Sequence, residues 1–351
     1  MKGDLIINMG LQISEIITKK EIEFFDLKGK TLAVDAFNVL YQFLSTIRQP
    51  DGTPLMDSKG RITSHLSGIF YRNINLLSEG IKLIYVFDGK APDLKNVTRE
   101  NREETKQEAS EKYEKAKDEE DIESMGKYAR QIVHLDKEKI EESKELLLAM
   151  GIPVVQAAGE GEAQASYIAK KESEVYAVAS QDYDSLLFEA PYLIQNLTLS
   201  RKRKTASGFV DVKPQLIELK NVLKELEINQ EQLICIGILS GTDYNPGGVK
   251  GIGPKKALKL VKEYKTAEKI FEAIGKDEKY SKYSVDFDWH EIFELMKNPS
   301  VAKDYKIEFG KFDFQKVKEI LIKHDFSEER IESQFEKIKE INEQKKQKTL
   351  F

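Results

Sequence analysis

The sequence predicts an α/β fold with a mostly parallel central sheet flanked by helices. Three observations carry that expectation. "KTLAVD", "IKLIYVFD" and "EVYAVASQD" are short, apolar, strand-length runs. Strands that are apolar throughout are buried on both faces, as in a parallel sheet covered by helices. Helical patterns such as "DKEKIEESKELLLAM" and "GEAQASYIAKKES" lie between them, and strand–helix alternation points to the same class. Each of the three runs also ends in an aspartate: Asp35, Asp88 and Asp182. In such sheets ligands bind beyond the carboxyl ends of the strands. A single aspartate after a strand is often only a turn residue or a helix cap. Three in the same place, with Asp184 two residues beyond the last, argue for a site.

Composition sets wide bounds. The chain has 351 residues, 40% of them hydrophobic, enough for one large domain or two ordinary ones. No run of 18 or more apolar residues suggests a membrane span, and the start, "MKGDLIINMGLQISEI", has no secretory pattern. A cytoplasmic protein without membrane contact is expected. The single cysteine, Cys235, lies in "LICIGIL" and reads as a buried thiol. Histidines 65, 134, 290 and 324 show no zinc spacing. The net charge of −5 argues against nucleic acid when taken alone. Local basic stretches make the distribution of charge the deciding matter.

Along the chain, residues 92–136 change character. They are rich in Glu, Lys and Arg, with apolar residues too sparse to bury a face. A solvated helix held by i,i+4 ion pairs is expected, bent near Gly126. After Phe188, "PYLIQNLTLSRKRKTASGFVDVKP" reads as strands joined by a basic loop, Arg201 to Lys204. Residues 229–264 read as helix, glycine-rich turn, helix, with Pro254 suited to the first turn of the second helix. The last residues, "NEQKKQKTLF", read as a polar tail.

The chemistry should sit among carboxylates. Asp35, Asp88, Asp182 and Asp184 are joined by Glu160 and Glu162 at a helix start, where the dipole favours anions, and by Asp243 in "SGTDYNP". Seven such groups in one pocket would repel one another unless multivalent cations held them. Oxygen ligands without His or Cys favour Mg²⁺ or Mn²⁺. Paired hard metals suit in-line displacement at phosphorus, one activating water and the other stabilising the leaving oxygen. In "GGVKGIGPKKALKLVK", Gly251 and Gly253 let backbone approach a phosphate, above a helix N-terminus. Lys250, Lys255, Lys256, Lys259 and Lys262 add contacts to a nucleic-acid backbone. A plain helix-connecting turn is the alternative.

In order, "DAFNVLYQFLSTIRQPDGTPLMDSKGRITSHLSGIFYR", "YVFDGKAP", "GEGEAQASY", "ASQDYDSLLF" and "GTDYNPGGVKGIGPKKAL" resemble the flap endonuclease family, in its archaeal type. The similarity runs from about Met9 to Glu340. It implies a structure-specific nuclease that cuts 5′ flaps from branched DNA, with 5′-3′ exonuclease activity, in replication and repair. It implies two Mg²⁺ per active site, replaceable by Mn²⁺. Asp35, Asp88, Glu160 and Glu162 would hold mainly the first, and Asp182, Asp184 and Asp243 the second. Lys95 and Arg102 match basic residues that contact the scissile phosphate, and Tyr41 an aromatic that stacks on a base. The implied layout is an N-terminal nuclease region at 9–107, a helical arch at 92–136 and an internal nuclease region at 137–268. The last holds a helix–two-turn–helix at 229–264, often with K⁺ in its loop. A C-terminal helical region at 269–340 and a tail at 341–351 follow. In the tail, Gln347 and Leu350 match the start of a sliding-clamp-binding motif, whose usual aromatic pair is missing. A monomer associated with the nucleoid is implied. "MKGDLIIN" is extra relative to the family, which usually starts at the match to Met9. Two other readings stay open: a phosphatase that also places aspartates at strand ends, and a catalytically silent DNA-junction binder.

Overall fold

The computed structural model describes residues 11, 13–49, 52–90, 96–118, 121, 124, 128, 132, 134–199, 202–205, 208–276, 280 and 283–348. Its centre is a seven-stranded sheet in the order β1-β9-β6-β5-β2-β3-β4. The strands are β1 (Lys20–Glu21), β2 (Thr31–Asp35), β3 (Lys82–Phe87), β4 (Val154–Gln156), β5 (Val175–Ala179), β6 (Tyr192–Gln195) and β9 (Gln215–Glu218). Pairs β2–β3, β2–β5, β3–β4 and β5–β6 are parallel, and only β9 runs antiparallel to its neighbours β6 and β1. The sheet is therefore mostly parallel, as expected.

Alternation along the strands divides the core. Leu32, Val34, Leu83, Tyr85, Phe87, Ala177 and Ala179 face one layer of helices. Ala33, Ile84, Val86, Val175 and Val178 face the other. The first layer holds α1 (Ala36–Thr46), α2 (Ser64–Ser78), α4 (Lys137–Ala149), α12 (Phe314–Ile322) and α13 (Glu328–Lys348). The second holds α5 (Gly161–Lys171), α6 (Asp184–Leu187), α8 (Gln230–Ser240), α9 (Pro254–Tyr264), α10 (Ala267–Lys276) and α11 (Trp289–Lys297). The remaining helices are α3 (Asn96–Asp118) and α7 (Leu219–Leu226). Cys235 is buried in α8, as expected. Among the described residues no helix is long and apolar enough to cross a membrane.

The chain moves from β2 outward to β3 and β4, then returns to place β5 and β6 on the other side of β2. The order thus reverses between β2 and β5. At that switch point the chain leaves the two strands in opposite directions and opens a crevice.

Several expectations need correction. The basic run is not a loop: Lys202–Thr205 forms β7, paired antiparallel with β8 (Gly208–Asp211). Lys202, Arg203 and Lys204 thus lie within a strand, with Lys202 paired to Asp211 and Thr205 to Gly208. The tail is helical in backbone through Lys348, because Glu, Lys and Gln are good helix formers even where no apolar face exists. The helix over 96–118 forms with an i,i+4 pair, Lys112 to Glu108 at 3.0 Å. It is not solvated all round, however: Ala109 and Ala116 are buried, since small side chains bury a seam that large ones would otherwise be needed to signal. The bend expected near Gly126 lies outside the described residues.

Two histidines that show no spacing in sequence meet in space. His65 Nε2 lies 3.0 Å from one Glu142 oxygen and His324 Nε2 lies 3.3 Å from the other. One carboxylate thus joins α2, α4 and the turn after α12.

Candidate active site

The strand register brings the acids to one end of the sheet. Asp35 pairs with Val86, so Asp88 stands two residues beyond that pair, just past the end of β3. Val34 pairs with Ala179, which puts Asp182 just past the end of β5. Asp35 closes β2 and caps α1, its Oδ1 accepting from the Asn38 N–H at 3.2 Å. Glu160 precedes α5 at its N-cap position and Glu162 lies in the first turn. Asp184 opens α6. Asp243 follows α8 in a turn tied by Thr242 Oγ1 donating to Asn245 Oδ1 at 2.7 Å. The close approach of Gly241 and Gly248 makes that turn possible: a Cβ on Gly248 would sit 2.4 Å from the Gly241 nitrogen.

Asp88 and α5 are locked together at Gly161. Its N–H donates to Asp88 Oδ1 at 2.6 Å, and a Cβ there would also sit 2.6 Å from that oxygen. Any side chain at this position would force the Asp88 carboxylate to move off its donor. Glu162 is buried and accepts from both the N–H and the hydroxyl of Ser185, at 3.0 and 2.5 Å.

The charges act on one another. Glu162 is pushed up to about 8, first by burial and then by the charge of Asp35; Ser185 opposes the shift and Glu160 adds to it. Burial also holds Asp182 well above the usual carboxylate range, followed by Glu162, Asp184, Asp35 and Asp243. The buried hydroxyl of Tyr244 is raised by burial and then by Glu160, Asp184 and Asp243. Six of the seven sequence-predicted acids therefore share one electrostatic neighbourhood, and Asp88 joins them through Gly161.

This is a gathering of elements rather than a finished cage. Among the described residues, no three His, Cys, Asp or Glu side chains stand close enough to hold a metal ion as placed. Like charges do not close on one another unaided, and several of these carboxylates rest on protein donors. The donor set itself fits a hard divalent cation: it is oxygen only and anionic, and two of its members, Glu162 and Asp182, are raised by burial and then by neighbouring negative charge that a cation would offset.

The other predicted residues fall as follows. Tyr41 lies in α1, half-buried. The backbone of Arg102 is in α3; its side chain and all of Lys95 lie outside the described residues. Gln347 falls within the helical backbone of α13, while its side chain and Leu350 lie outside them. In the α8–turn–α9 element, Gly251 has φ +87°, a left-handed conformation suited to glycine, and Gly253 precedes Pro254 at the helix start. Lys250 and Lys259 are exposed. Lys255 pairs with Glu15 at 3.1 Å and Lys262 with Glu227 at 2.9 Å. Lys256 turns back to donate to the Gly251 carbonyl at 2.8 Å and to the Tyr283 hydroxyl at 3.2 Å.

Sequence reasoning missed Asn38, Ser185 and Gly161, the residues that hold the acids. Gly161 carried a signal, a glycine between two glutamates at a helix start. Asn38 and Ser185 carried none, since their partners are distant in the chain.

Comparison with known proteins agrees with this layout. Residues 7–109 match the XPG N-terminal domain and residues 151–243 the XPG I-region. Flap endonuclease 1 of Thermococcus onnurineus is 52% identical over 345 residues, covering 97% of this chain and 98% of that protein. The structure of flap endonuclease-1 from Methanococcus jannaschii superposes with a TM-score of 0.72 at 42% identity, over 93% of this chain and 97% of that one. The catalytic core of Rad2 in complex with DNA substrate shares the fold, with a TM-score of 0.65 at 22% identity over 87% and 91%.

Proposed function

The chain belongs to the flap endonuclease family of divalent-metal-dependent, structure-specific nucleases, and from that membership and the acidic pocket we propose how its own residues do the work. Asp35, Asp88, Glu160, Glu162, Asp182, Asp184 and Asp243 hold two Mg²⁺, the first four mainly one ion and the last three the other; Mn²⁺ can substitute. The observation that carries this is the strand register that brings Asp35, Asp88 and Asp182 to one end of the sheet at its switch point, with Glu160 and Glu162 at the start of α5 beside them. When bound, the paired ions supply an activated water and stabilise the leaving oxygen of the phosphodiester.

The protein supplies position and charge. Lys95 and Arg102, on the segment leading into and along α3, neutralise charge that develops on the scissile phosphate. Tyr41, one helical stretch beyond Asp35, stacks on the base beside the cut. The α8–turn–α9 element holds duplex DNA by its backbone, through Lys250 and Lys259 and the close approach that Gly251 and Gly253 permit, with K⁺ in the loop. The substrate is branched DNA with a 5′ flap, and trimming of 5′ ends as an exonuclease uses the same centre, in replication and repair. The chain works as a monomer in the cytoplasm, near the nucleoid, and Gln347 with Leu350 offers a partial contact to a sliding clamp.

The test uses a labelled 5′-flap duplex with and without Mg²⁺. The wild type should cut near the junction only with metal. Asp182→Ala should bind the flap substrate with near-normal affinity and leave it whole. Near-normal cutting by Asp182→Ala would show that the catalytic centre lies elsewhere.

A further inference from the structure

Asp182 follows a residue, Gln181, whose backbone N–H and carbonyl are each held by a neutral amide. The Gln181 N–H donates to Asn38 Oδ1 at 3.2 Å, and the Gln181 carbonyl accepts from Gln195 Nε2 at 2.7 Å. Asn38 then reaches forward: its Nδ2 donates to Asp182 Oδ2 at 2.8 Å, while its backbone N–H donates to Asp35 Oδ1 at 3.2 Å. Gln195, buried at the end of β6, is itself held by Lys19, whose ammonium donates to Oε1 at 2.9 Å. Partner chemistry fixes the amide orientations. A backbone N–H needs the oxygen of Asn38 and a carboxylate needs its NH₂; a backbone carbonyl likewise needs the NH₂ of Gln195.

Asp35 and Asp182 stand at the ends of the adjacent parallel strands β2 and β5. One residue, Asn38, touches both. We propose that Asn38 and Gln195 form an amide clamp that sets the Asp182 carboxylate against Asp35, making both of them positioning residues for metal loading. The proposal rests on the reading that these acids hold Mg²⁺. The neutral chemistry of the clamp follows from its task. A lysine in place of Asn38 would pair with Asp182 and compete with the cation, whereas an amide orients one oxygen and leaves the negative charge in place.

The experiment is Mn²⁺ titration calorimetry on the full chain without DNA, which reads metal binding apart from turnover. Asn38→Ala and Gln195→Ala should each bind Mn²⁺ about 10- to 100-fold more weakly, the usual size of losing a residue that orients a metal ligand. Asn38→Leu, which keeps the branched shape of asparagine but neither donates nor accepts, should match Asn38→Ala, because the hydrogen bonds and not the packing are at issue. Asp182→Asn should also be weakened, and adding Asn38→Ala to it should change affinity by no more than about twofold, since the two act through one carboxylate. Flap-DNA affinity measured in chelator should stay at the parent value in the clamp variants, which a general structural defect would not allow. Parent-like Mn²⁺ affinity in both Asn38→Ala and Gln195→Ala, beside a weakened Asp182→Asn, would overturn the clamp alone. Parent-like affinity in Asp182→Asn would overturn the metal-site reading and the clamp with it.

Discussion

At the scale of single residues, the site depends on close contacts with little room to spare. Gly161 is the clearest case, with Asp88 against one side and Val86 O 3.1 Å from where a Cβ would be. Gly161→Ala should push Asp88 off its donor and cut the single-turnover rate at least about tenfold, the scale set by small misplacements of catalytic groups; a parent-like rate would show that Asp88 does not need that anchor. Glu162 makes a second prediction, whose sign follows from its folded pKa of about 8 against an ordinary 4.5. Between those values the folded protein keeps a proton that the unfolded chain has lost. In chelator, Glu162 should therefore add stability as pH falls from above 8 toward 4.5, and withdraw it as pH rises. Glu162→Gln removes one of two raised carboxylates, Asp182 being the other, so its thermal midpoint in chelator should depend less steeply on pH than the parent's. An unchanged slope would show that Glu162 does not carry a raised pKa.

At the scale of elements, the sequence showed some parts plainly and hid others. The strands were legible because a buried parallel strand is apolar on both faces, and Asp35, Asp88 and Asp182 because each ends such a run. The helix–turn–helix over 229–264 was legible from its glycines and Pro254. Strand β7 was not, because charge disguised it as a loop, although β8 lies in the stretch that reads as strand. The tie of His65 and His324 through Glu142 was also hidden, since its partners come from three separate stretches. Glu142 is held below the usual range: burial acts to raise it, and the hydrogen bond from His65 and the charges of His324, His65 and Arg61 outweigh that. Glu142→Ala would strand two buried imidazoles and should destabilise the fold by about 2–3 kcal/mol in denaturant unfolding; a loss below about 0.5 kcal/mol would mean that the tie is not structural. In the α8–turn–α9 element, lysines should separate by role. If Lys259 contacts a phosphate, Lys259→Ala should flatten the slope of log affinity against log salt by about 0.9. Lys256, already engaged with Gly251 and Tyr283, should lower affinity when replaced by Ala while leaving that slope nearly unchanged. Equal slope changes would make Lys256 a direct phosphate contact.

At the scale of the whole molecule, one sheet does two jobs. Its two buried faces supply the core through alternation, broken at the start of β5 where the register with β2 shifts, and its carboxyl-end switch point collects acids from the ends of β2, β3 and β5, the starts of α5 and α6, and the turn after α8. The architecture brings the charges together, and their repulsion is what a cation would relieve. Saturating Mg²⁺ should accordingly raise the thermal midpoint more at pH 8 than at pH 6, where protonation already removes part of the repulsion. A shift of equal size at both values would separate metal binding from these carboxylates. The most direct measurement is anomalous diffraction from crystals soaked in Mn²⁺. Two peaks about 4 Å apart, ringed by Asp35, Asp88, Glu160, Glu162, Asp182, Asp184 and Asp243, are expected. Peaks elsewhere in the molecule, with these seven side chains bare, would contradict the account.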